Sequence, residues 1–148
     1  MKDGQFGRVL FTETDFAYLS GDQEAIDRYQ IARKKYTHLT LIGEGRGCAL
    51  SLMLASRFMP DEIHLYPLKG ASIEEFLKEV QRRVQFLYFV CAPIRLYVPC
   101  DAEPVVIKKM NRLLNRVSSF QKEIIYLEKP ASVYEDLTNI VNPLKTLA

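Results

Sequence analysis

Three glycines at alternate positions, Gly43, Gly45 and Gly47, join an apolar run to a helical pattern. The stretch Thr40 to Leu50 reads TLIGEGRGCAL. Glycine supplies positive φ and lets two backbones approach closely, so this spacing calls for a sharp turn from a strand straight into a helix. A chain with such a turn in its interior is built from strand–helix units, not hairpins.

The rest of the chain repeats that unit. Apolar runs at Arg8–Thr12, His38–Ile42, Glu62–Tyr66, Ile94–Val98 and Glu123–Leu127 are filled almost continuously by Leu, Ile, Val and Tyr. Strands covered on both faces read this way. Helical patterns separate them. Ser20 with Gln23 opens one, carrying Ala25, Tyr29 and Ala32 toward a core. Cys48 to Phe58 is apolar nearly all round and reads as the most buried helix. The capping box Ser72–Glu75 leads Ile73, Phe76, Leu77, Val80, Val84 and Leu87. Pro104 suits a first turn and is followed by Val106, Met110, Leu113, Leu114 and Val117. A second capping box, Ser132–Glu135, leads Leu137, Ile140, Val141 and Leu144, with Asn142-Pro143 fraying the end. Short right-handed connections then give an α/β fold, a three-layer α/β/α sandwich around a parallel sheet of about five strands. With 148 residues and no linker or repeat, residues 1–148 form a single domain.

Composition narrows the function classes. A formal charge of +2 is too small for a nucleic-acid binder, and Arg33-Lys34-Lys35, Arg82-Arg83 and Lys108-Lys109 fall on helix faces or ends. Cys48, Cys91 and Cys100 are odd in number and lack paired spacing, which points to free thiols in a reducing cytoplasm. The two histidines, His38 and His64, lie in strands without a C-x-x-C nearby, so no metal site is expected. The apolar run around Gln85 to Ala92 is too short to cross a bilayer, and no targeting segment opens the chain. No cofactor is implied.

The turn itself offers chemistry. N–H groups of Arg46, Gly47 and Cys48 have no partners within the helix that begins there and, with the helix dipole, suit a phosphate or carboxylate. The candidate ligand-binding residues are therefore Gly43, Glu44, Gly45, Arg46, Gly47 and Cys48, with Asp101 or Glu103 on the rim. Packing alone would require the glycines with or without a ligand and is the favoured reading of them, and Glu44 by itself reads as a solvated turn residue. A dinucleotide site is disfavoured by Cys48 where a third Gly or Ala belongs. Cys48 is a thiol near a helix N-terminus, yet its place in the first turn points it toward packing. A separate class is pure interaction. If Arg8–Thr12 lies at a sheet edge, its Val9, Leu10 and Phe11 carry little charge to prevent pairing with a second copy or a protein partner.

The strand–turn–helix at Gly43-Glu44-Gly45-Arg46-Gly47 resembles the G-x-S-x-G nucleophile elbow of the α/β-hydrolases. Pro93 to Val106 is similarly like the strand that ends in that family's triad acid, with Glu103 the better match and Asp101 the second. The departures are specific. Gly45 stands where the family has its nucleophile, and Leu127 to Ser132 holds no histidine. The family's N-terminal strands and oxyanion loop are also missing. The resemblance thus implies a trimmed, catalytically empty member, or the C-terminal portion of something longer, acting by binding. The alternative is an atypical esterase or thioesterase completed by a partner chain. The elbow assignment also implies that Gly45→Ser is tolerated if Gly45 holds the strained elbow backbone, since the family has a side chain there, whereas a large loss of stability would mean a glycine-only conformation and a failed alignment at its centre.

Overall fold

Unbroken apolar runs become buried parallel strands, and the amphipathic segments between them become the crossovers. The computed structural model describes residues 5–18, 22–69, 71–84, 90, 92–117 and 121–128. The order is β1 (Phe6–Phe11), α1 (Glu13–Tyr18), α2 (Asp22–Lys35), β2 (His38–Glu44), α3 (Gly47–Arg57), β3 (Glu62–Tyr66), α4 (Ile73–Arg83), β4 (Ile94–Val98), α5 (Pro104–Asn115) and β5 (Lys122–Tyr126). All five strands form one parallel sheet in the order β1-β2-β3-β4-β5. The expected α/β class and five-stranded parallel sheet are what the chain adopts.

Neighbour-to-neighbour order has a geometric consequence. Right-handed crossovers that always step the same way place the described connecting helices on one face, so the second helical layer of the expected three-layer sandwich is not among the described residues. That face carries Val9, Phe11, Leu39, Leu41, Ile63, Leu65, Ile94, Leu96 and Val98, packed in one cluster with residues of α2, α3, α4 and α5. The opposite face alternates with it and holds a second cluster, Ile42, Tyr66 and Tyr97, joined by Leu10, Ile125 and Leu127. The helix expected from Ser132 lies outside the described residues, as do Ser20 and Cys91. No helix among the described residues is long and apolar enough to cross a membrane.

Local sequence explains the helix starts. Ser72 accepts from the Glu75 N–H at 3.1 Å and donates to its carboxylate at 3.1 Å, the anticipated capping box of α4. That helix stops at Arg83, with Val84 extended, short of the anticipated Leu87. Pro104 begins α5. Helix α1 was not anticipated. It is opened by a reciprocal pair in which Asp15 N–H donates to Thr12 Oγ1 at 2.8 Å and Thr12 N–H to Asp15 Oδ2 at 3.0 Å.

Helix α3 is the centre of the core, with Cys48 to Ala55 all buried. Leu54→Ala should cost about 2–5 kcal/mol through lost burial and a cavity, whereas Ile31→Ala, at an exposed site, should be nearly neutral. Chemical denaturation of both variants checks this.

Candidate functional site

The end of β2 carries Glu44 to the carboxyl edge of the sheet, and the chain turns through Gly45 and Arg46 into α3. Gly45 has φ +59°, the one positive φ among the described residues. Its N–H donates to the Tyr66 carbonyl at 2.9 Å, so the end of β3 pins the turn.

Each glycine clears space for a different neighbour. A Cβ on Gly43 would lie 2.5 Å from Cys48 Cα, so its absence lets α3 fold back on its own strand. A Cβ on Gly47 would lie 2.2 Å from the Phe11 carbonyl oxygen, so its absence lets the end of β1 pass against the start of α3. A Cβ on Gly45 would lie 2.7 Å from both Glu13 Oε2 and the Lys69 carbonyl oxygen.

That last contact shows what meets a turn N–H that has no partner within α3. Arg46 N–H donates to Glu13 Oε2 at 2.6 Å, and Arg46 Nε donates to Glu13 Oε1 at 2.5 Å. Cys48 N–H donates to the Gly45 carbonyl at 3.1 Å. Arg46 is the N-cap of α3 without a side-chain cap, and the first turn of α3 contains no acidic residue. Glu13 supplies from α1 the carboxylate that the helix dipole favours. Glu44 is likewise no solvated residue, because its carboxylate is mostly buried and pairs with Lys69 Nζ at 2.8 Å.

Aromatic and cationic groups hold α1 over the turn. The Arg46 and Arg83 guanidinium carbons each lie 4.8 Å from the Phe16 ring centroid. Such pairs contribute roughly 0.5–2 kcal/mol each. Arg83 is tied in turn to Asp22 at 3.1 Å and to Glu79.

Neither candidate nucleophile of α3 is accessible from this edge, while Cys100 is an exposed free thiol in the turn after β4. Cys48 is fully buried, and burial pushes its thiol well up, reinforced by the charges of Glu44 and Glu13. Ser51 is also fully buried inside α3. Asp101 is exposed in the turn after β4, and Glu103 is the exposed N-cap of α5 without a side-chain cap. Both lie on the same carboxyl edge as the glycine turn, but β3 stands between β2 and β4, a separation of roughly 10 Å at ordinary strand spacing. Sequence reading missed Glu13, Phe16, Lys69 and Arg83. The Thr12-x-x-Asp15 capping box was the available signal for α1 and hence for Glu13.

Both histidines meet one carboxylate on the opposite face of the sheet. His38 Nε2 lies 2.7 Å from Glu62 Oε2 and His64 Nε2 lies 3.5 Å from Glu62 Oε1. His64 Nδ1 is 2.9 Å from the Tyr97 hydroxyl. A carboxylate only accepts, so His64 carries its proton on Nε2 and accepts from Tyr97 at Nδ1 when neutral. His64 and His38 together hold the Glu62 carboxyl down at about 2, against the partial burial that raises it. Glu62 and His38 begin their strands, so this network lies toward the sheet edge opposite the glycine turn.

No family model and no curated protein matches the chain. Among solved structures, one described with LipS and LipT, two metagenome-derived lipolytic enzymes, superposes with a TM-score of 0.63 at 11% identity. The match covers 97% of this chain and 93% of that one. At that identity the likeness establishes an α/β-hydrolase-like fold.

Two outcomes follow from this geometry. The tolerance expected of Gly45→Ser gives way to a loss of roughly 2–4 kcal/mol, because the left-handed backbone and a fixed carbonyl oxygen both oppose a Cβ. Thermal denaturation reads it. For Glu62, the folded-state value lies below the usual 4.5, so its contribution is present above about pH 4.5 and fades as pH falls toward 2. Glu62→Gln should flatten the stability-against-pH curve across that window, and an unchanged slope would show that other carboxylates set it.

Proposed function

We propose that this chain is a non-catalytic α/β-hydrolase-like binding module whose glycine turn takes a small anion only in exchange for its own Glu13. The observation that carries this reading is the double contact of Glu13 with Arg46, through the main-chain N–H at 2.6 Å and Nε at 2.5 Å. In a nucleophile elbow, the N–H of the residue after the nucleophile stabilises the oxyanion. By position that donor is Arg46 N–H, and a carboxylate already occupies it. The apex offers Gly45 instead of an attacking group, and the space above it is filled.

The chemistry the turn retains is anion recognition. Arg46 presents a main-chain and a side-chain donor side by side, backed by the positive end of α3. A ligand carboxylate or phosphate would compete with Glu13 for the same two donors. The atypical esterase or thioesterase completed by a partner chain is the alternative, and it requires Glu13 to withdraw from Arg46.

A second reading rests on the sheet edge. Strand β1 is an outermost strand, and Phe6 at its start is 53% exposed. A second copy or a protein partner would pair there. Light scattering that stays monomeric over a wide concentration range would remove the homodimer form of this reading.

Glu13→Ala tests the principal reading. The variant should lose roughly 1–2 kcal/mol in the absence of ligand, as the charge-assisted contacts go. Phosphate or acetate should then raise its melting temperature by more than that of the unmodified protein. Neither protein should hydrolyse p-nitrophenyl butyrate. An anion response equal in both proteins would detach the ligand from the turn, and ester turnover would overturn the non-catalytic assignment.

A further inference from the structure

Strand β1 is outermost, with no strand beyond it among the described residues, and its two sides can be told apart. His38 N–H donates to the Gln5 carbonyl at 3.4 Å, and Phe6 stands opposite His38 in the ladder. Main-chain groups along a strand point alternately to either side, so residues 7, 9 and 11 bond to β2 while Phe6, Arg8 and Leu10 point outward. From α2, Arg28 Nη1 donates to the Leu10 carbonyl at 3.4 Å, which closes that end of the edge. Among the described residues nothing comparable reaches the N–H and C=O of Phe6 and Arg8, which stay open to a partner strand.

The side chains of those three residues share the sheet face turned away from the helices. Leu10 joins the cluster of Ile42, Tyr66 and Tyr97. Phe6 lies 4.9 Å from the His38 ring and is 53% exposed. Arg8, between them, has no ion pair among the described residues. The carboxylate in its row is Glu62, beyond Thr40 and two strands inward, roughly 10 Å at ordinary strand spacing. Both histidines already hold it. An uncompensated cation therefore stands on an open edge, with an apolar side chain on either side of it.

Building on the second reading above, we infer that β1 takes up an extended segment of a partner protein in antiparallel pairing, with an Asp or Glu opposite Arg8 and an apolar residue two positions later opposite Phe6. Main-chain bonds at Phe6 and Arg8 supply the pairing, and the carboxylate and apolar side chain select the partner. A second copy of the chain fits worse. Strand β1 reads FGRVLF and holds no acidic residue, so no register of β1 against itself gives Arg8 a counter-charge. The antiparallel register centred on Arg8 would set two arginines directly opposite each other, which is destabilising.

The test is amide-resolved NMR titration of the intact chain with acetyl-TVTETVT-amide and its lysine counterpart, acetyl-TVTKTVT-amide. The acidic peptide should shift amides of β1 and slow hydrogen exchange at the Phe6 and Arg8 N–H groups. It should bind at least about fivefold more tightly than the lysine peptide, the difference between an attractive and a repulsive cross-strand pair. Methylating the glutamate nitrogen removes a main-chain donor and should weaken binding at least about tenfold. In Arg8→Glu, whose fold circular dichroism checks, the preference should reverse toward the lysine peptide. Equal binding of both peptides by the unmodified protein, or no reversal in the variant, would overturn the acidic partner while leaving edge pairing intact. Absence of any β1 response would overturn edge pairing as well. A dimer in light scattering that the peptides fail to dissociate would overturn the inference in favour of a second copy.

Discussion

Side chains are absent at positions 43, 45 and 47, and a different neighbour uses each absence. Cys48 comes within contact of Gly43, β1 passes over Gly47, and Glu13 with the Lys69 carbonyl closes over Gly45. Burial of α3 depends on the first of these, because a helix cannot fold back onto its own strand through a Cβ 2.5 Å from Cys48 Cα. Placement of α1 depends on the second, since the path of Phe11 and Thr12 across Gly47 is what delivers Glu13 to Arg46. Backbone clearance at the turn thus fixes the core, the helical layer and the pairing of Glu13 with Arg46 together.

Much of the fold was legible in the sequence because strands buried on both faces are written as unbroken apolar runs. Glu62–Tyr66 and Ile94–Val98 were readable to the residue, and the remaining strands differ only at their ends. Helix α1 was not legible in the same way. Its six residues are too few to show a helical period, and only its capping box marks it. The site followed the same division. The glycine turn announced itself through local spacing, whereas its occupant comes from 33 residues away and leaves no local pattern. The pairing of Glu44 with Lys69 and the sharing of Glu62 by two histidines are also products of strand register, which periodicity does not encode.

The polar chemistry is divided among separate regions. Arg46 and its partner carboxylate Glu13 sit at the carboxyl edge, while the histidine–glutamate–tyrosine network lies on the sheet face turned away from the helices. In an α/β-hydrolase, nucleophile, base and acid converge on one edge. In this chain Asp101 and Glu103 keep the carboxyl edge, while both imidazoles are committed to Glu62 instead.

Consecutive strands are also adjacent strands, from β1 to β5 without a reversal. During synthesis, each of β2 to β5 therefore meets a pairing partner already made, and none has to wait for a later segment to be slotted between existing strands. Each closure spans a single crossover, which favours progressive assembly strand by strand. The same order leaves the growing sheet with a fixed edge at β1 and a second edge that advances with the chain, so a pause in translation would expose the latest strand beside the standing edge of β1.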